Sequence, residues 1–272
     1  MQVKAARVVA LRPPRALGHN SGWSGRAVSA PFLKDACHMS QGPSLSRPRR
    51  RVLAALAGAG IALAALPMMI REVLAAGSLP GGKGIVRLQG DVRVNGKPAA
   101  VGQIIRAGDV LETGRDGQAV FVIGEDAFLL RSGSRLELQG DNLLISGLRI
   151  LTGKLLSVFG KGRRQVVTST ATAGIRGTGL YVEADAQKSY ICTCYGEVRL
   201  GSIDDPAATE VVRTTHHDQP RYIYAKGAGR AGTALIVKAP VINHTDEELI
   251  MLESLVWRSP PFVTSGYESG RY

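Results

Sequence analysis

The sequence predicts an all-β protein built from short strands, with one apolar helix near the N-terminus and one short helix near the C-terminus. Polar and apolar residues alternate in runs such as Val92-Arg93-Val94 and Leu136-Glu137-Leu138. Turn-forming Gly, Asn and Asp residues recur about every eight to twelve positions. No amphipathic pattern of helical length occurs between residues 81 and 240, which leaves little room for βαβ crossovers and favours a meander-like or coiled sheet.

The N-terminal part of the chain differs from the rest in composition. Residues 1–48 contain scattered Arg, Pro, Ser and Gly without a sustained period, so we interpret them as disordered. Met39 stands just before an ordinary bacterial export signal, so Met1 and Met39 are alternative start sites. If translation starts at Met39, residues 1–38 are an upstream extension of the gene model.

An uncharged run follows this polar segment. Arg49, Arg50 and Arg51 precede residues 52–70, which as a helix would span about 28 Å, close to the hydrocarbon thickness of a bilayer. The pair Arg49 and Arg50 resembles a twin-arginine export signal. Residues 49–76 are therefore predicted to be a cleaved signal or a single inner-membrane anchor. Either alternative places the following chain in the bacterial periplasm or on the extracytoplasmic face of the inner membrane.

The charge distribution argues against nucleic-acid binding. The 272 residues carry a net charge of +12, but residues 1–51 hold ten of the 34 Lys and Arg residues and one of the 22 acids. The remaining chain is nearly neutral and shows no basic face with interleaved aromatic residues. The sequence also lacks the ordered Ser, His and Asp or Cys and His motifs of hydrolases, so we expect no enzymatic activity.

Several local signals place the strands and the last helix. Asn95-Gly96 predicts a type I′ hairpin, because both central residues of that turn need positive φ. The region 201–272 is predicted to be a β extension followed by a helix at about 245–257. Thr245 and Glu248 form a capping box there, and Pro260-Pro261 stops the helix. Docking on its own domain is the ordinary role of such a helix, and partner binding is the alternative.

Four motifs occur in a fixed order between residues 87 and 200. They are GDVLETG at 108–114, DG at 116–117, TSTATAGIRGTGLYV at 168–182 and GEV at 196–198. This order resembles the FecR domain, with departures at Gln118, Ser169 and Leu180. The resemblance implies a solenoid-like or jelly-roll-like β domain at 77–200 that receives an envelope protein partner. The cytoplasmic anti-sigma part of the family has no counterpart here, because residues 1–48 are too few and too polar to form a helical bundle.

The most distinctive part of this resemblance is Arg176-Gly177-Thr178, the family motif. Its glycine is predicted to allow a bulge or a close backbone approach, with Arg176 pairing locally. The neighbouring glycines could serve phosphate binding in another setting, but no P-loop lysine follows them.

Two of the three cysteines, Cys192 and Cys194, lie in the predicted strand SYICTCYGEV. Side chains alternate along a strand, so both sulfurs point the same way and Thr193 points the opposite way. A disulfide between them is geometrically poor, because extended residues two apart place their Cα atoms about 6.5–7 Å apart. Two interpretations stay open: the thiols pack as small apolar side chains, or they take part in metal or redox chemistry.

A metal site needs further ligands, and the segment TTHHDQP supplies candidates. His216 and His217 would point to opposite faces if extended, so only one of them completes a site unless they lie in a turn. Asp218 is predicted to orient the ligating imidazole, and His244 is a more remote candidate ligand. Cysteine and histidine ligands suit Zn, Cu or Fe. Two functions are therefore predicted as alternatives: a FecR-like sensing and interaction module of the envelope, or a metal-binding or redox envelope protein.

Overall fold

The computed structural model of the protein describes residues 83–141, 144–228 and 234–265, together with Met68 and Arg71. The segments predicted as disordered and as a signal or anchor, including Arg49 and Arg50, otherwise lie outside the described residues. Among the residues that the structure does describe, no helix combines the length and the apolar character that a membrane crossing requires.

The described chain is mostly β, which confirms the predicted fold class. Its strands are β1 (Gly84–Gln89), β2 (Val92–Val94), β3 (Lys97–Pro98), β4 (Val110–Thr113), β5 (Gln118–Ile123), β6 (Asp126–Leu130), β7 (Arg135–Asp141), β8 (Leu144–Val158), β9 (Arg163–Val167), β10 (Ala171–Ala184), β11 (Lys188–Ser202), β12 (Thr209–Thr214), β13 (Arg221–Tyr224) and β14 (Ile236–Lys238). Helix α1 (Asp246–Leu255) and a short 3-10 helix (Pro261–Ser265) follow them.

The 14 described strands form one sheet, in which only the β8–β9 pairing is parallel. Most strands are short, as predicted, but β8, β10 and β11 have 14 or 15 residues. Each of these long strands changes partners along its length. The first half of β11 pairs with β13 and the second half with β12. The C-terminal strands β12–β14 therefore continue the sheet of the preceding region.

The hairpin predicted at Asn95-Gly96 joins β2 to β3. Asn95 has a φ of 52° and Gly96 a φ of 75°, which are the positive values that a type I′ turn requires. Val94 pairs with Lys97 directly across this two-residue loop. The local sequence signal therefore specified both the turn and the register.

The central strands are buried on both faces. Along β5, Phe121 belongs to one apolar cluster, while its neighbours Val120 and Val122 belong to a second one. We call the first the inner core and the second the outer core. The strand residues of the outer core are Val86, Val120, Val122, Ala127, Leu129, Leu156, Val158, Tyr181, Tyr190, Cys192, Cys194 and Tyr195. A sheet buried on both faces explains the continuous apolar run 119–123 in the sequence.

Helix α1 covers the outer core. Thr245 caps it: its Oγ1 accepts a hydrogen bond from the Glu248 N–H, and Glu248 Oε2 accepts one from the Thr245 N–H. Leu249 and Leu252 are buried against the strands. The predicted helix is thus confirmed, although it ends at Leu255, before the proline pair. It docks on its own sheet.

Candidate metal centre

Strand β11 places both thiols in the outer core. Cys192 and Cys194 are buried with free thiols, and both belong to the outer core, whereas their neighbour Ile191 belongs to the inner core. This is the predicted alternation of a strand. Both sulfurs therefore lie on the face of the sheet that α1 covers.

The bend after β12 brings His217 over the two thiols. The His217 N–H donates to the Cys194 carbonyl at 3.0 Å, which extends the pairing of β12 with β11 by one contact. His217 then takes a φ of 43°, a left-handed conformation that is uncommon for a residue other than glycine. Its Nδ1 lies 3.7 Å from Cys192 Sγ. His216 and His217 therefore lie in a bend. A turn is the case in which the sequence predicts that both histidines can approach the site.

His244 enters the site from the turn before α1. Its ring stacks on Tyr181, with the centroids 4.5 Å apart and the planes at 21°. Its Nδ1 lies 2.7 Å from the Ile242 carbonyl, and its Nε2 lies 2.8 Å from His217 Nδ1. Stacking on one side and a carbonyl on the other fix both the position and the rotation of the ring.

Hydrogen bonds to the sheet hold the turn that carries this ligand. Tyr190 Oη donates to the Pro240 carbonyl at 3.0 Å and accepts from the Ile242 N–H at 3.2 Å. Arg131 Nη2 donates to the Asn243 carbonyl at 3.0 Å. The turn is thus anchored from β11 and from the residue that follows β6, so the position of His244 does not depend on the helix alone.

One ligand atom from each of Cys192, Cys194, His217 and His244 lies within 4.8 Å of the others, and all four residues are buried. The structure therefore brings together three of the four sequence-predicted ligands, and the remote candidate His244 joins them. The fourth, His216, lies outside this group. Its Nε2 is 2.8 Å from Asp246 Oδ1, in a neighbouring group with His217.

The carboxylate that orients His217 is Asp246, the first residue of α1. Asp246 Oδ1 lies 3.0 Å from His217 Nε2. Asp218, predicted for this role, instead accepts a hydrogen bond from Thr214 Oγ1. The sequence signal that would have found the correct residue is the run His244-Thr245-Asp246, which places a candidate ligand and an acid on either side of a helix cap.

The outer nitrogens of both rings are committed as hydrogen-bond donors. The Ile242 carbonyl can only accept, so the proton of a neutral His244 sits on Nδ1, and the Asp246 carboxylate places the proton of a neutral His217 on Nε2. The inner nitrogens then present two lone pairs to each other at 2.8 Å. Two facing lone pairs repel each other unless a proton or a metal ion lies between the two nitrogens. Outer hydrogen bonds of this kind are typical of imidazoles that bind a metal ion.

The same contacts shift the pKa values of Cys192, Cys194 and His217. A hydrogen bond from the Cys194 thiol, helped by His217 and His244, lowers the pKa of Cys192 well below its usual range against the effect of burial. Burial raises the pKa of Cys194. Burial also opposes protonation of His217, but hydrogen bonds to Asp246 and Cys192 outweigh it and raise the pKa of His217 to about 9. These contacts therefore favour the thiolate form of Cys192 and the imidazolium form of His217.

The family motif lies elsewhere on β10. The register of β10 with β11 shifts between Arg176 and Gly179, and Gly177 has a φ of 60°, so the bulge expected there is present. Arg176 was also expected to pair locally. Within the described chain its side chain is exposed and forms no ion pair, because Glu197, directly opposite on β11, is paired with Arg213 at 2.6 Å.

Comparisons with known proteins leave the family of the chain unassigned. No protein-family model matches it, and no curated protein matches it. Two crystal structures of a candidate anti-sigma factor from Parabacteroides distasonis are similar to it, with TM-scores of 0.38 and 0.37 and identities of 8% and 10%. Each similarity covers 48% of this chain and 58% of the other. At this level the likeness carries no functional argument, so the FecR resemblance depends on the sequence motifs.

Proposed function

We propose that this protein is a FecR-like module of the bacterial envelope that binds one transition-metal ion through Cys192, Cys194, His217 and His244. The observation that supports metal binding is the convergence of two sulfurs and two imidazole nitrogens within 4.8 Å in the outer core. The order of the sequence motifs supports the FecR-like part. We assign Zn²⁺ as the preferred ion, with Cu and Fe as competitors.

The geometry of the four atoms suits a tetrahedral ion. With Zn–S bonds of about 2.3 Å and Zn–N bonds of about 2.0–2.1 Å, a sulfur and a nitrogen ligand lie about 3.5 Å apart. The observed distance between Cys192 Sγ and His217 Nδ1 is 3.7 Å. The two inner nitrogens, 2.8 Å apart, need to separate by about 0.5 Å to take their tetrahedral positions. A small rotation of either ring achieves this.

The charge of the site also favours a divalent ion. Two thiolates and two neutral imidazoles carry two negative charges, which a divalent cation cancels inside a buried pocket. An uncompensated charge there would be costly, because burial removes its hydration. All four positions of a tetrahedral ion are filled by protein, which is typical of structural sites and leaves no position for a substrate.

Metal binding would join three separate parts of the chain. The ligands come from β11, from the bend after β12, and from the turn that leads into α1. Occupancy of the site therefore controls how firmly α1 docks on the outer core. We propose that this docking is the signal of the module: the metal-bound form keeps the apolar face of α1 covered, and the metal-free form releases it more readily.

Elemental analysis of the full chain, purified under reducing conditions, tests the site directly. We expect one equivalent of zinc per chain and, after exchange with Co²⁺, the absorption bands of a thiolate-bound tetrahedral ion. The double variant Cys192→Ser/Cys194→Ser should lose both. Thr193→Val is the matched control, because it alters the buried residue between the thiols on the opposite face. Metal-free wild-type protein whose stability the double substitution leaves unchanged would refute the site and favour simple packing.

Cell fractionation with N-terminal sequencing of the mature chain tests the proposed compartment. We expect the protein in the periplasm if the signal is cleaved, or in the inner membrane through residues 52–70 if it is retained. The same fraction, treated with a cross-linker, should contain an envelope protein joined to the β domain. Recovery of the whole chain in the cytoplasm would contradict this part of the proposal and would leave the metal site to be judged by its own experiment.

A further inference from the structure

Two residues of the FecR-like motif, Arg176 and Gly177, line a cavity that the metal centre does not use. The cavity has a volume of about 550 Å³ and is lined by Lys161, Gly162, Arg163, Arg176 and Gly177. It is open to solvent on one side, since all five residues are exposed. A concave space of this size lies within the range of small-molecule sites, which is roughly 300–1,000 Å³.

The three cations of this cavity are placed without counter-charges. Arg163 on β9 lies directly opposite Arg176 on β10, an arrangement of like charges that destabilises a sheet. Neither of them, nor Lys161, forms an ion pair with any residue that the structure describes.

Two nearby acids are already paired with other arginines. Glu197, on the strand next to Arg176, pairs with Arg213 at 2.6 Å. Asp126 pairs with Arg164 at 3.0 Å, and its other oxygen accepts from the Gly160 N–H at 2.8 Å. Glu125, whose Oε2 lies beside Gly160, is a further nearby acid, and the three cations that line the cavity outnumber it.

The floor of the cavity is backbone rather than side chain. Gly177 has a φ of 60° and Gly162 a φ of 124°. A Cβ atom at Gly177 would meet no atom closer than the Gly160 carbonyl at 3.9 Å, so packing does not demand a glycine there. The positive φ at the bulge is what favours glycine at this position.

We propose that this cavity binds a small anion with at least two negative charges, carried by phosphate or carboxylate groups. Guanidinium groups recognise such oxyanions with paired hydrogen bonds, and Lys161 adds a mobile point charge. The anion supplies the counter-charge that Arg163 and Arg176 lack. The proposal is independent of the metal centre, which lies in the outer core.

Isothermal titration of the full chain with pyrophosphate, inorganic phosphate and succinate tests this site. We expect pyrophosphate to bind with a dissociation constant below about 1 mM at physiological salt. Arg163→Gln and Arg176→Gln should each weaken binding about tenfold, which corresponds to the loss of one charge-assisted contact. The preference between phosphate and succinate identifies the class of anion.

Arg199→Gln is the matched control, because Arg199 is exposed on β11 and does not line the cavity. It should leave the affinity within about twofold of the wild type. Equal weakening by all three variants would show a general effect of net charge and overturn the site, as would the absence of any heat of binding at about 10 mM anion. Binding only of an acidic peptide, and of none of the three anions, would also overturn it and indicate a protein partner.

Discussion

The metal centre and the basic cavity both lie beside strand β10, yet they are organised in opposite ways. Tyr181 pairs with Cys192 in one half of the β10–β11 ladder, and Arg176 pairs with Glu197 in the other half, beyond the bulge. The proposed ligands of the metal centre are buried and held by hydrogen bonds. The cations of the cavity are exposed and have no ion-pair partner in the described chain.

The difference follows from the cost of burial. A buried charge or polar group must be paired, so the protein provides the outer partners of both imidazoles before any ion binds. An exposed charge is stabilised by water, so two arginines can face each other at a modest cost. We therefore expect changes at the metal centre to alter stability strongly, and changes at the cavity to alter it weakly.

Metal removal should give the largest effect. If free metal exceeds its dissociation constant a thousandfold, binding adds about 4 kcal/mol to the free energy of unfolding, and chelation removes this amount. Hydrogen exchange should then show lost protection in 240–255, while β8 keeps its protection. Denaturant unfolding with and without chelator measures the first effect, and exchange detected by mass spectrometry measures the second. A uniform loss of protection over the whole sheet would contradict the proposed coupling between the metal and α1.

Truncation of a side chain on the helix face that covers the metal centre should have the next largest effect on stability. Leu252→Ala should lower the free energy of unfolding by about 2–5 kcal/mol, because the fully buried side chain leaves a cavity in the outer core. Ile203→Ala is the control, since Ile203 is 44% exposed and its loss should change stability by less than about 0.5 kcal/mol. Urea unfolding of the two variants should separate them clearly. Equal effects would mean that α1 is not packed on the sheet in solution.

Substitution of the orienting carboxylate should have a smaller effect, which is confined to the affinity for the metal ion. Asp246→Asn should weaken Zn²⁺ binding about 10–100-fold, because an amide orients the His217 ring less firmly than a carboxylate does. Asp218→Asn should leave the affinity unchanged, since Asp218 bonds to Thr214 instead. Competition with a chromophoric chelator measures both affinities. A larger loss in the Asp218 variant would assign the orienting role to the residue that the sequence alone suggested.

The smallest effect is expected at the cavity, and with the opposite sign. Arg176→Gln should raise the free energy of unfolding by about 0.2–0.5 kcal/mol at low salt, because it removes a like-charge pair across β9 and β10. The gain should shrink at high salt, which screens exposed charges. Thermal unfolding in the absence of anions is the measurement. A loss of stability in this variant would show that Arg176 has a structural role.

The fold class and several local features could be predicted from the amino-acid sequence alone. The two-residue period and the turn signals were sufficient for an all-β prediction, and the Asn95-Gly96 hairpin and the Thr245 cap were both found where their local chemistry placed them. The shared face of Cys192 and Cys194 also followed from strand alternation alone. These features depend on contacts between neighbouring residues, which a sequence records directly.

Tertiary structure alone decided which residues complete the two sites. His244 joins Cys192, Cys194 and His217, whereas His216 is grouped with His217 and Asp246. Asp246, and not Asp218, lies against His217 Nε2, because the start of α1 folds back over the outer core. Among the residues that the structure describes, Arg176 has no ion pair, and Glu197 opposite it is paired with Arg213 through the register of the sheet. Several residues that are distant in the chain could pair with the same side chain. Packing and strand register decide which of them does so, and neither can be read from the local pattern of residues.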